Sequence, residues 1–112
     1  MKKHTCKNFI IHCIDFRFQK AHEELISKLG INYGDFDRVA VAGGAGNFEQ
    51  LRTHAEISNR LHDTDTVILT IHEDCGAGAK KEDFTKAKEI ANEFFSQVKL
   101  VHINLDGSIE EL

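Results

Sequence analysis

Cys13, Asp15 and Arg17 alternate in the segment CIDFR, and His72 and Cys75 sit three apart in HEDC. Thiolate sulfur and imidazole nitrogen are donors that Zn²⁺ prefers, and two Cys with one His fill three of its four tetrahedral positions. Three protein ligands and one open position is the arrangement of catalytic zinc, whereas structural sites take four. An open position holds water, and the ion lowers the pKa of that water toward neutrality, so hydroxide becomes available. The Asp15 carboxylate can accept a hydrogen bond from that hydroxide and aim its lone pair. Arg17 can grip the carboxylate through its planar fork and keep it ionised. Asp15 could instead ligate the ion itself and close the site, with Arg17 taken up elsewhere. Gly76-Ala77-Gly78, expected at the start of the next helix, can present backbone N–H groups to an anion or substrate.

Each of these residues also has a plainer role. A lone cysteine in an apolar strand is often a buried small hydrophobe, and Asp15 with Arg17 could be an ordinary surface ion pair. The metal reading therefore depends on whether the fold brings Cys13 to His72 and Cys75. Apolar runs predict strands at Phe9–Ile14, at Arg38–Ala42, within the stretch Thr66–Gly78 and at Leu100–Leu105. Helical spacing predicts helices at Gln19–Leu29, from an Asn47 cap to about Leu61, and from Glu82 to Val98, where Phe84, Ala87, Ala91, Phe94, Phe95 and Val98 share one face. Gly30 sits where a left-handed helix stop belongs. Strand and helix alternate throughout, which predicts an α/β fold: an open, mainly parallel four-stranded sheet of order 2-1-3-4 with helices on both faces. In that order strands 1 and 3 are neighbours, and their C-terminal ends flank the switch point where such sheets hold ligands. Cys13 lies at one of these ends, and His72 and Cys75 lie at the other.

The bulk composition narrows the partners. The chain has 112 residues, 41% of them hydrophobic and 29% charged, and is expected to form one domain over 1–112. Its formal net charge of −4 argues against nucleic acid or an anionic membrane as partner. No apolar stretch approaches the roughly 20 residues of a membrane span, and no secretory leader is evident, so a cytoplasmic location is expected. Three cysteines, an odd number, fit thiols or metal ligands better than a disulfide framework. Cys6 and the histidines at 4, 12, 22, 54, 62 and 102 have no partner spacing, and are expected to be structural or surface residues. Gly43 to Gly46 are expected to form a turn ahead of the Asn47 cap.

The ordered set CIDFR, GGAGN (Gly43 to Asn47) and HEDCG resembles the motifs of β-class carbonic anhydrases, which carry Cys-x-Asp-x-Arg, Arg-Asn-Ala-Gly-Asn and His-x-x-Cys-Gly after successive strands. The resemblance extends from about Phe9 to Gly107. It implies zinc held by Cys13, His72 and Cys75, with Asp15 and Arg17 as the catalytic dyad. The implied reaction is reversible hydration of carbon dioxide to bicarbonate by zinc-bound hydroxide, in a homodimer. Ile14 and Phe16 stand where the family commonly has small polar residues, and Gly43 and Gly44 replace its Arg and Asn. The apolar pair makes hydrolysis of another heterocumulene, such as carbon disulfide or carbonyl sulfide, an alternative. A zinc-binding module without turnover, with Asp15 as fourth ligand, is another.

Overall fold

The structure, a computed structural model, describes residues 3–112. The chain runs β1 (Asn8–Cys13), a 3-10 turn (Phe16–Phe18), α1 (Gln19–Lys28), β2 (Phe36–Val41), a second 3-10 turn (Gly44–Gly46), α2 (Phe48–His62), β3 (Thr66–His72), α3 (Asp83–Asn92), β4 (Gln97–Ile103) and β5 (Ile109–Glu111). The strands form one five-stranded sheet of order β2-β1-β3-β4-β5. The first four are mutually parallel, as the alternating pattern predicts, and β1 lies between β2 and β3 with Ile11 level with both Val39 and Leu69. No helix among the described residues is long and apolar enough to cross a membrane.

Period-two alternation sends β1 and β3 side chains into two hydrophobic layers. Phe9, Ile11, Val67, Leu69 and Ile71 pack under Leu51 and Ala55 of α2 and Phe84, Ala87 and Ala91 of α3. Ile10, Ile68, Val101 and Ile103 pack on the other face against Phe18 and against Ala21, Leu25 and Ile26 of α1. All of β1 and β3 is buried, which is why these segments read as largely apolar runs rather than as apolar and polar residues in alternation. Local stops hold the helices in register. The Asn47 side chain accepts from the Gln50 N–H at 3.3 Å to start α2, and Asp63 ends it in the left-handed region at φ 53°. Gly30 follows α1 at φ 69°.

Four elements have boundaries that depart from the sequence expectation. β1 and β2 begin and end earlier than Phe9–Ile14 and Arg38–Ala42. α3 ends at Asn92 rather than Val98. The apolar spacing persists because Phe94 and Phe95 enter the core from a turn, their N–H groups both donating to Ala91, and Phe95 stacks on Phe9 with ring centroids 5.8 Å apart. Ser96 and Gln97 then donate to the Asp65 carbonyl, so β4 begins beside β3 at Gln97, not at Leu100. The expected sheet of four strands also gains a fifth, since Ile109–Glu111 turns back antiparallel onto β4. Three residues are too few for a periodic signal; Asp106-Gly107, with Gly107 at φ 86°, is the turn dipeptide that could have announced the reversal.

Candidate metal centre

The strand order delivers Cys13 and His72 to adjacent strand ends, and the turn after β3 returns Cys75 to them. Their donor atoms lie within 4.8 Å of one another. Cys13 and His72 are buried and Cys75 is half-buried. His72 Nδ1 lies 2.8 Å from the Glu73 carbonyl oxygen. A carbonyl can only accept, so Nδ1 carries a hydrogen, and in the neutral ring Nε2 is then the nitrogen with the free lone pair. That Nε2 is buried with no hydrogen-bond partner. A buried polar atom left bare costs free energy, and here it belongs to the donor aimed at the two sulfurs. The set fits a borderline-soft cation such as Zn²⁺, with Nδ1 locked by an outer carbonyl as metal-binding histidines usually are.

Packing fixes the ring. Phe18, at the end of the first 3-10 turn, stacks on His72 with centroids 4.1 Å apart. That turn is opened by Asp15, whose Oδ1 accepts from the Arg17 N–H at 2.9 Å. Arg17 also grips the same carboxylate with its guanidinium, Nε reaching Oδ1 at 3.1 Å and Nη2 reaching Oδ2 at 2.7 Å. These bonds hold the Asp15 carboxyl at about 2, below its ordinary 3.8. Asp15 Oδ2 sits 3.8 Å from His72 Nε2, with its side chain 16% exposed. The other side of the guanidinium is held by Asp74, through Oδ2 at 3.1 Å and the carbonyl at 3.0 Å. Asp74 lies between His72 and Cys75 with φ 59°, so one turn both offers two of the three donors and clamps Arg17.

An open pocket of about 380 Å³ beside the cluster is lined by Cys13, Ile14, Asp15, Phe16, Ala42, Gly76 and Ala77. Gly76 and Ala77 thus share a pocket with Cys13 and Asp15, but not as the opening of a helix. Gly78 donates to the Cys75 carbonyl in a turn, and α3 starts only at Asp83. Gly and Ala carry the chain across the pocket mouth before the Lys80 N–H meets Asp83 Oδ2 at 2.9 Å.

The second glycine turn contributes more than a connection. Gly43 N–H points at Cys13 Sγ, 3.4 Å away. Gly44, at φ 55°, presses so closely on β1 and β3 that a Cβ would lie 2.6 Å from the Thr70 carbonyl oxygen and 3.1 Å from the Cys13 nitrogen. Glu73, Asp74, Phe18 and Gly43 are therefore the contributors that motif spacing did not single out. The signal for Gly43 and Gly44 lay in their place, directly after the strand that neighbours Cys13. Cys6 and His62, expected to stand apart, instead meet Asp37 in a second group of close donors.

The sequence profile of a family described as "Putative carbonic anhydrase" matches residues 3–110. An uncharacterized protein of Rickettsia bellii (strain RML369-C) is 29% identical over an alignment 131 positions long, which covers 92% of this chain and 79% of that protein. Among solved structures, carbonic anhydrase from Streptococcus mutans superposes with a TM-score of 0.64 at 18% identity, over 97% of this chain and 82% of that one. The β-carbonic anhydrase CafA of Aspergillus fumigatus gives 0.58 at 14% identity, over 97% and 76%.

Proposed function

This chain belongs to the carbonic anhydrase family and has the β-class fold, and from that premise we propose that it catalyses the zinc-dependent, reversible hydration of carbon dioxide to bicarbonate. The observation that carries the proposal is the bare, buried His72 Nε2 converging with Cys13 and Cys75 beside a carboxylate held by Arg17. Cys13, His72 and Cys75 would hold the ion, which when bound supplies Lewis acidity and brings the pKa of a coordinated water toward roughly 7, a value for which carbonic anhydrase is the standard example.

The chain's own groups do the rest. Asp15 accepts a hydrogen bond from the nucleophile and orients it toward substrate in the adjoining pocket. Its depressed pKa keeps it an acceptor at every working pH. Both Asp15 oxygens are engaged by Arg17, which favours a carboxylate standing off the ion over one that closes the site. Ile14, Phe16 and Ala77 give the pocket apolar walls, suited to a linear, uncharged substrate, with the Gly76 and Ala77 backbone as the proposed product contact. The same walls favour carbon disulfide or carbonyl sulfide as a second substrate class. Phe16 is 77% exposed and Ile14 65%; their position at the pocket supports assembly as a homodimer that covers them.

Stopped-flow carbon dioxide hydration on protein of measured zinc content tests the reading. Turnover should require the metal, and Asp15→Asn should lower it by roughly 100-fold or more with zinc retained. Zinc held through Cys13 and Cys75 with no hydration of carbon dioxide between about pH 6.5 and 9 would remove it, and activity on the sulfur analogues would then take its place.

A further inference from the structure

Cys6, Asp37 and His62 lie at the end of the sheet remote from Cys13. Cys6 precedes β1, Asp37 is the second residue of β2, and His62 is the last residue of α2. Parallel pairing sets the starts of β1 and β2 side by side, with Asn8 level with Phe36. α2 must end at that same edge in order to feed β3. The Cys6 N–H donates to the His62 carbonyl at 3.1 Å, tying the lead-in to the helix terminus. As a result a sulfur, a carboxylate oxygen and an imidazole nitrogen, one from each residue, lie within 4.8 Å of one another, all half-buried.

We propose that Cys6, Asp37 and His62 form a second divalent-metal site, of the zinc class. A thiolate and a carboxylate supply the two negative charges that neutralise such an ion, and imidazole completes a donor set that zinc accepts. His62 Nδ1 and Asp37 Oδ2 are 2.7 Å apart, bridged by a hydrogen bond. Two ligands of one tetrahedral ion at ordinary bond lengths stand roughly 3.3 Å apart, so a cation takes the place of that hydrogen bond with a small widening. The carboxylate is already oriented from behind. Ser58 Oγ donates to Asp37 Oδ2 at 2.7 Å, and Ser58 meets the Thr64 hydroxyl at 2.9 Å, the outer contact that ligand carboxylates use. An opening of about 280 Å³ bordered by Asp37, Ser58 and His62 leaves room for a fourth, solvent ligand. The ion would clip the chain ahead of β1 to β2 and α2.

Counting metal decides the matter. Wild-type protein equilibrated with Zn²⁺ and freed of excess should hold two ions per chain, and Cys6→Ala one. Equal counts in the two proteins overturn the proposal. One ion in the wild type and none in Cys6→Ala uphold it and refute metal binding at Cys13, so the two sites fail separately. A Cys13→Ala/Cys75→Ala chain retains Cys6 as its one thiol, and Co²⁺ should give it a thiolate-to-cobalt charge-transfer band; a folded variant that binds cobalt without this band overturns the assignment of Cys6. Ser58→Ala should weaken the site about 10-fold while leaving the count unchanged at saturating Zn²⁺.

Discussion

Arg17 holds Asp15 with Nε and Nη2 and holds Asp74 with Nη1 and Nη2. Only a planar fork spans both partners; a lysine ammonium reaches one of them as a point charge. Arg17→Lys should therefore keep its zinc and lose roughly 10- to 100-fold in kcat/KM for carbon dioxide hydration. Unchanged kcat/KM in the zinc-loaded variant would show that Asp15 needs no such clamp. The pairing of Asp15 with Arg17 could be read from their spacing, because a carboxylate capping a turn two residues ahead of an arginine is a local event. Asp74 could not. In HEDC it reads as a spacer, and its role depends on a left-handed backbone that turns its carbonyl and carboxylate toward a residue distant in sequence.

Between strands and helices, the tightest fit is the turn after β2. Gly44→Ala would place a methyl 2.6 Å from the Thr70 carbonyl oxygen at a positive φ, with no flexible side chain to yield. Denaturant titration should show a loss of at least about 2 kcal/mol. Gly76→Ala, which meets nothing within 4 Å, should stay within about 0.5 kcal/mol of wild type. Comparable losses in both would place the constraint elsewhere. The sequence made the elements visible wherever burial is periodic. β1, β3, α1 and α2 match their apolar patterns closely. It misplaced the end of α3 because Phe94 and Phe95 serve the same core from a turn as they would from a helix, and apolar spacing does not distinguish the two. It omitted β5 because an edge of three residues is defined by its partner strand, not by its own composition.

For the molecule as a whole, burial of ionisable groups sets the response to acid. His22 is 2% exposed, and burial, aided by the nearby His12 and Arg38, pushes it from 6.5 down to about 3. The unfolded chain therefore takes up a proton below 6.5 that the folded chain refuses until about 3, so stability falls as pH falls through that window. Metal-free protein should lose about 2 kcal/mol between pH 7.5 and 5 from this residue, and His22→Leu should lose less. Parallel losses in the two proteins would acquit His22. Its burial was not evident beforehand, since a polar residue on the inner face of α1 gives no warning of its depth. The topology was evident, because alternating strands and helices leave few ways to cover a parallel sheet on both faces.

Cys13 has the strand parity of Phe9 and Ile11 and sits level with Val41, which packs under α2 and α3. His72 sits level with Ile103, beneath the α1 layer, and stacks on Phe18. The sheet is thus a partition between two cores, and the candidate centre, at the C-terminal ends of two central strands, takes one donor from the side of each. A repacking on either side that shifts its own donor by about half an ångström would be felt first by the chemistry. The divided core makes the centre an arbiter of which neutral changes in each half can coexist.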